Sequence, residues 1–226
     1  MTRAAALIPA AGAGRRMGGA HKPMLELRGE PLLLHTLRPF LQTAGIEQVI
    51  VALPADVAAN PPGWLTGLDP RIQVVAGGAE RGDSVHAALV ATDRAIDVVL
   101  VHDAARPLVT TDLIARAMGA AAQGRSVIAA VPPTDTIQQI DAHGAIVATP
   151  NRASLRAAQT PQAFPRAVLL DAYERAAADG VRATDDAALV ARCGIRVDVI
   201  EGDVENIKVT TPGDLAHAEA LLARRS

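Results

Sequence analysis

Six short, nearly continuous apolar runs recur along the chain, at Ala4–Ile8, Gln48–Leu53, Ile72–Val75, Val98–Val101, Ser126–Val131 and Ile195–Ile200. Runs this short that lack polar alternation read as strands buried on both faces. Between them, Pro31–Thr43, Asp83–Asp93, Thr111–Ala122 and Pro165–Ala178 carry the apolar spacing of amphipathic helices, and Thr211–Arg224 is a further one. Helix-start signals stand at Thr111 with Asp112 just inside, at Asp83-Ser84, and at Thr211-Pro212 with proline at the first helical position. Strands alternating with helices predict an α/β fold built on a mostly parallel sheet with helices on both faces.

One stretch departs from the alternation. Residues 132–150, PPTDTIQQIDAHGAIVATP, read as two short polar-alternating strands around a turn at Asp141–Gly144. A two-stranded hairpin with so little apolar face must pack on something else. It is either a decoration at the edge of the sheet or an arm that reaches a partner subunit. With no internal repeat or linker elsewhere, the expectation is one domain over residues 1–226, extended by an arm at about 132–152.

Composition narrows the partners. Half of the 226 residues are hydrophobic, which suits a globular core, yet only four are Phe, Trp or Tyr. That scarcity disfavours single-stranded nucleic-acid binding, which relies on aromatic stacking, and a net charge of −2 gives no global attraction to nucleic acid or membrane. The single cysteine, Cys193, excludes an internal disulfide and a cysteine-cluster zinc site. No signal-like N-terminus and no membrane-length apolar run is present, so a cytoplasmic location is expected.

The first strand runs into a loop, PAAGAGRRMGGAHKP, that holds Gly12, Gly14 and Gly18 with Arg15, Arg16 and Lys22. Glycine-rich turns after a first strand cradle phosphate with backbone N–H groups. A dinucleotide site also needs an acid near the end of the second strand, where this chain has Leu53-Pro54. The P-loop pattern fails because Lys22 is followed by Pro23. Three cations within eight residues are more than a doubly charged pyrophosphate requires and argue for a more highly charged ligand than a dinucleotide, against a plain surface loop with solvated arginines.

A second constellation, VLVHDAARPLV at 99–109, delivers His102-Asp103 at a strand's carboxyl end, where open α/β sheets bind ligands. Asp103 either helps to hold a hard cation such as Mg²⁺ or caps the next turn and pairs with Arg106, and His102 reads as structural. A third, AGGAERGDSV at 76–85, offers a Gly77-Gly78 turn and Ser84 at a helix start; a plain turn before a capped helix would look the same. Thr136, Arg152, Thr160, Thr184-Asp185 and Lys208 sit at segment boundaries and, taken singly, read as solvated groups.

Together these stretches resemble the 2-C-methyl-D-erythritol 4-phosphate cytidylyltransferases of the non-mevalonate isoprenoid pathway. The resemblance is carried, in order, by PAAGAGRRM with Lys22, GGAERGDSV, VHDAARP, DT at 135–136, NR and QTPQAF within 151–164, TDDA at 184–187 and NIKVT at 206–210. It implies a Rossmann-like sheet of the nucleotide-diphospho-sugar transferase type with a protruding β-arm, transfer of the cytidylyl group of CTP to methylerythritol phosphate with release of pyrophosphate, Mg²⁺ as cofactor, and a homodimer joined through the arm. It implies that Arg16 and Lys22 stabilise the transition state and that Arg152 and Lys208 position the substrate phosphate. Arg106, Thr136, Thr160 and Thr184 would join the substrate phosphate. Ala10, Ala11, Gly12, Gly14, Gly78, Ser84, Asp103 and Ala104 would bind CTP, with Asp103 nearest the metal. Two positions depart from the family pattern: Pro23 where glutamine often follows the lysine, and Ala79 where an acid often follows the glycine pair. The related activity toward another polyol phosphate, such as ribitol 5-phosphate, would share nearly every motif.

Overall fold

A computed structural model describes residues 2–12, 24–182 and 185–225. In chain order the elements begin with β1 (Ala4–Pro9), β2 (Glu26–Leu27), β3 (Glu30–Pro31), α1 (Leu32–Gln42) and β4 (Ile46–Leu53). Next come α2 (Ala55–Ala59), α3 (Gly63–Thr66), β5 (Ile72–Ala76), α4 (Arg81–Val90), β6 (Val98–Val101), α5 (Thr111–Ala122) and β7 (Ser126–Val131). The chain continues through β8 (Gln139–Ile140), β9 (Ile146–Ala148), β10 (Ala157–Pro165), α6 (Arg166–Ala178), α7 (Asp186–Arg192), β11 (Val197–Glu201) and α8 (Pro212–Arg225).

Seven strands form the central sheet in the order β11-β7-β10-β6-β1-β4-β5, parallel throughout except at β10. Alternate residues of each strand feed two cores. Ala4, Ala6 and Ile8 join Val49, Val51 and Leu100 beneath Leu33, Leu37 and Phe40 of α1 and Leu113, Ile114 and Ala117 of α5. Ala5 and Leu7 join Ile50, Val99 and Val101 against Val85 and Leu89 of α4, Leu169 and Tyr173 of α6, and Leu189 and Val190 of α7. Burial on both faces is why the strands carry no polar alternation; each fully buried Leu or Val contributes roughly 1.5–3 kcal/mol of transfer free energy. A smaller core of Leu27, Leu32, Leu108, Val209, Ala218 and Leu221 seats α8 on the β2–β3 ribbon.

Every expected strand and helix is present, with Val98–Val101, Thr111–Ala122 and Ser126–Val131 at the expected bounds and the others with shifted ends. The start of α4 lies two residues before Asp83, because Glu80 caps it and Asp83 answers from the third helical position in a capping box. At α5 the cap is Thr110, whose hydroxyl accepts from Leu113 N (3.3 Å). Pro212 opens α8 as expected, with Thr211 and Asp214 exchanging hydrogen bonds.

Strand β10 escapes the sequence reading. Its AAQTPQAFP is polar and holds Pro161, and its pairing with β7 shifts register between Ala158 and Gln162. Proline is tolerated in a sheet interior at such an irregularity, and the interruption releases Gln159 and Thr160 from the ladder. The hairpin β8–β9 is a separate two-stranded sheet, not an added edge of the central one. Asp141 closes its turn by accepting from His143 N and Ala145 N (2.9 Å each), and Gly144 supplies the positive φ. Ile137, Ile140, Ile146 and Val147 of this arm are exposed. No helix among the described residues is long and apolar enough to cross a membrane.

Candidate active site

A cleft of about 320 Å³ opens over the carboxyl ends of β1, β5 and β6, the position at which open α/β sheets take ligands. One wall is the backbone of Ala10, Ala11 and Gly12, held by Ala10 N donating to Ala52 O (2.8 Å). The opposite wall is the turn after β5. There a Cβ on Gly77 would collide with Ala11 Cβ and Ser84 Oγ, and one on Gly78 with Asp83 Cβ. The glycine pair thus lets the turn pack against both the first loop and the capping box of α4. Ser84 lines the cleft while its hydroxyl accepts from Gly78 N (3.2 Å) and donates to Glu80 O (3.3 Å). Ala79 lies exposed at the rim.

Asp103 forms the floor. Its Oδ1 accepts from Arg81 Nε (2.9 Å), its Oδ2 pairs with Lys208 Nζ (2.8 Å), and Arg106 Nε lies 3.7 Å from Oδ2. Burial alone would raise its pKa, but the charges of Arg81 and Lys208 override that and hold the carboxyl well below the usual range. Asp103 is therefore a fixed anion surrounded by cations. The loop that carries it is pinned by backbone-directed bonds. Asp103 N donates to Thr160 Oγ1 (3.0 Å), Ala104 O accepts from Thr36 Oγ1 (2.9 Å), and Ala105 O accepts from Val209 N (2.8 Å).

His102 sits behind this loop, fully buried, with its pKa pushed down to about 4 by that burial. It is neutral at pH 7, and its Nε2 faces Arg106 O (3.1 Å), which only accepts, so Nε2 carries the ring proton. Nδ1 is then an acceptor, and the Thr160 hydroxyl 3.0 Å away donates to it. That hydroxyl gives its one hydrogen to His102 while accepting from Asp103 N. It has none left for a substrate phosphate.

A second, polar cavity of about 140 Å³ adjoins the cleft and shares Asp103, Arg81 and Lys208 with it. Thr160, Arg106, Ala158, Gln159, Gln162 and Asp185 complete its lining. Arg106 is buried and donates to Asn206 O (2.7 Å) and Ala158 O (3.3 Å), so two of its nitrogens hold the frame. Gln159 exchanges two hydrogen bonds with the Asp203 backbone, and Gln162 clamps the start of α7 through Asp185 Oδ2 and Ala187 N. Asn206 Nδ2 donates to Thr160 O (2.8 Å). The side chains of QTPQ thus fasten the two loops that flank Lys208 and Asp186 to the sheet.

Of the residues singled out from the sequence, Ala10, Ala11, Gly12, Gly78, Ser84, Asp103, Ala104 and Lys208 meet around the cleft, and Thr160 and Arg106 stand beside it. Thr136 and Arg152 do not join them. Both lie exposed at the arm, where Arg152 Nη1 donates to Thr134 O (2.9 Å). Gly14, Arg16, Lys22 and Thr184 lie outside the described residues. Sequence reasoning missed Arg81 as a member of the site, and with it Asp186, Tyr173 and Asn206. Arg81 directly follows the glycine turn, and Asp186 stands in the TDDA stretch.

Among the described residues the cleft wall holds no paired nucleophile and base; it holds an opening of about 320 Å³ floored by one ionised carboxylate among cations. Such a site favours positioning and charge stabilisation over proton transfer. The comparisons with known proteins point to one family. The model of the family IspD: 2-C-methyl-D-erythritol 4-phosphate cytidylyltransferase matches residues 4–224. A 2-C-methyl-D-erythritol 4-phosphate cytidylyltransferase of Symbiobacterium thermophilum is 48% identical over 218 residues, covering 96% of this chain and 91% of the relative. The crystal structure of the cytidylyltransferase of the same name from Thermus thermophilus is 37% identical with a TM-score of 0.82, covering 99% and 100% of the two chains. That of the 4-diphosphocytidyl-2C-methyl-D-erythritol synthase of Anaerococcus prevotii is 31% identical with a TM-score of 0.88, covering 98% and 96%. With sequence and fold in agreement over nearly its whole length, the chain belongs to the 2-C-methyl-D-erythritol 4-phosphate cytidylyltransferase family.

Proposed function

We propose that this protein transfers the cytidylyl group of CTP to 2-C-methyl-D-erythritol 4-phosphate, releasing pyrophosphate and supplying isoprenoid synthesis in the cytoplasm. The observation that carries the reading is the sharing of Asp103, Arg81 and Lys208 by two adjoining cavities. The larger suits the nucleotide, the smaller the acceptor's phosphate, and the shared residues lie where the two phosphorus centres must meet. A phosphate oxygen of the acceptor attacks the α-phosphorus of CTP in line. The new P–O bond forms as the bond to the β-phosphate oxygen breaks, and the electron pair leaves with pyrophosphate.

The attacker is already an anion, so the site needs no general base. Its task is to bring two anions together. Lys208 holds the acceptor phosphate, and Arg16 and Lys22 of the opening loop meet charge on the α-phosphate and the departing pyrophosphate. Ala10, Ala11, Gly12, Gly78, Ser84 and Ala104 shape the nucleotide cleft, and Gly14 is assigned to CTP by the family pattern. Arg106 and Thr160 set the wall of the acceptor cavity from behind, and Thr184 is assigned to the substrate phosphate by the family pattern alone. Mg²⁺ fits the chemistry of the floor: Asp103, an ionised, hard oxygen donor, is the described residue that would hold it beside the nucleotide phosphates. When bound, Mg²⁺ neutralises triphosphate charge.

Thr136 and Arg152 complete the acceptor site of a second subunit. They lie on an arm whose exposed Ile137, Ile140, Ile146 and Val147 need a covering surface, which a homodimer provides. The test is pyrophosphate release across four nucleoside triphosphates and a panel of polyol phosphates, with Mg²⁺ present or chelated. Release confined to CTP with methylerythritol phosphate and abolished by chelation is expected. Preference for ribitol 5-phosphate, or turnover without either partner, overturns the assignment.

A further inference from the structure

The ion pair on the floor of the cleft continues inward. Arg81 reaches Asp103 with Nε (2.9 Å) and Asp186 Oδ2 with Nη1 (2.7 Å), and Asp186 Oδ1 accepts from Tyr173 Oη (2.6 Å). Asp186 is 1% exposed and touches neither cavity. Tyr173 is buried in α6, and its ring stacks on His86 of α4 at 5.3 Å. Lys208, Asp103, Arg81 and Asp186 thus alternate in sign from the cleft to the core and end on a neutral phenol.

A lone cation beside Asp103 could take many rotamers. Arg81 cannot, because two carboxylates grip its planar fork from different elements, the loop after β6 and the start of α7. With Oδ1 of Asp103 held from that side, Oδ2 is left to face Lys208. We propose that Asp186, backed by Tyr173, is a positioning residue for the reaction: it fixes Arg81 against Asp103 and so sets the orientation of the carboxylate and of Lys208 where the two cavities meet. The inference rests on the cytidylyl-transfer reading, and it adds residues that touch no substrate.

The experiment is a double-mutant cycle on the full-length protein with Asp186→Asn, Arg81→Gln and the double variant, and with Tyr173→Phe as a milder probe. Pyrophosphate release gives kcat/KM, calorimetric titration of CTP with Mg²⁺ gives a dissociation constant free of turnover, and thermal melting reports folding. Because charged hydrogen bonds are at stake, Asp186→Asn should lower kcat/KM about 10- to 100-fold in a folded chain. In the Arg81→Gln background the same change should cost less than about 2-fold, since the effect passes through Arg81. Tyr173→Phe removes only the phenol hydroxyl and should give a loss of about 3-fold, which decides the matter if Asp186→Asn fails to fold. Equal losses in both backgrounds, or an unimpaired folded Asp186→Asn chain, overturn the inference. A wild-type chain that binds CTP without transferring to methylerythritol phosphate would instead overturn the acceptor assignment, and the CTP constants would still decide the cycle.

Discussion

Replacing Thr160 by valine separates two roles for its hydroxyl. Valine keeps the shape of the side chain, and Thr160 is 3% exposed, so no cavity opens. What changes is the hydrogen bonding. Asp103 N loses its acceptor, His102 Nδ1 loses its donor, and both groups are buried. Leaving a buried polar group unpaired costs about 1–3 kcal/mol, so two of them destabilise the chain by roughly 2–6 kcal/mol. Taking about 3 kcal/mol as the working figure, the melting temperature of a chain this size should fall by roughly 6–12 °C. The Asp103 loop, freed at its first residue, should also lose precision, so kcat should fall while the chain remains folded at low temperature. Thr160→Ser retains the hydroxyl and should recover most of both losses. Calorimetric melting together with steady-state pyrophosphate release reads the series. If Thr160→Val melts with the wild type and raises only the KM for the polyol phosphate, the hydroxyl belongs to the substrate and the tautomer argument is wrong.

Asp103→Asn keeps the shape but removes the charge that Arg81 and Lys208 share; activity should fall by on the order of 10²-fold and the Mg²⁺ concentration for half-maximal rate should rise, whereas full activity at low Mg²⁺ would leave Asp103 a purely structural anion. The folded chain takes up a proton at His102 only near pH 4, against 6.5 for an unperturbed histidine, so the stability due to its neutral burial is complete above pH 6.5 and lost as pH falls toward 4. From pH 7 to 5 the urea midpoint should report a loss of roughly 2 kcal/mol from this group, and a His102→Asn chain with the same pH slope would refute it. Arg16→Ala and Arg152→Ala chains should each be inactive, yet regain activity when mixed, because in a shared-site dimer one site collects both lesions and the other neither; verified mixed dimers without activity would return Arg152 to its own chain's site.

The central sheet is legible in the sequence because its strands are buried twice over. Ala4–Pro9 and Val98–Val101 meet helices on both faces, so nothing polar interrupts them, and the run itself is the signal. Strand β10 lies just as deep at Ala163 and Phe164, but in the stretch before them Gln159, Thr160 and Gln162 are committed to bonds with Asp203, His102, Asn206 and Asp185. Side-chain chemistry there overrides the pattern that marks a strand, and Pro161 adds a breaker at the register shift. Capping residues escape for a related reason. Glu80 and Thr110 are both competent caps, yet Asp83 and Thr111 satisfy the same sequence rule one to three residues later, and only the fold decides between them.

The site divides along the same line. Its cleft-lining half is legible in the sequence as a set rather than singly, since the Gly77-Gly78 turn, Asp103 and Lys208 each have a plainer reading until the motifs are taken together in order: Ala10 to Gly12, the glycine turn, Asp103 and Lys208 all reach one cleft. Its supporting half is not, because its members are recognised only by what they touch. Asp186 is an ordinary acid at a helix start until Arg81, 105 residues earlier, is seen to bridge it to Asp103. Thr160 looks like a phosphate donor until His102, 58 residues earlier, claims its hydrogen. A reaction that joins two anions asks above all for charges held still, and long-range buried bonds of this kind are how a chain with few aromatics holds them. The positions that bring charge to the cleft can be read along the chain; those that keep the charge in place become visible only when distant segments have folded together.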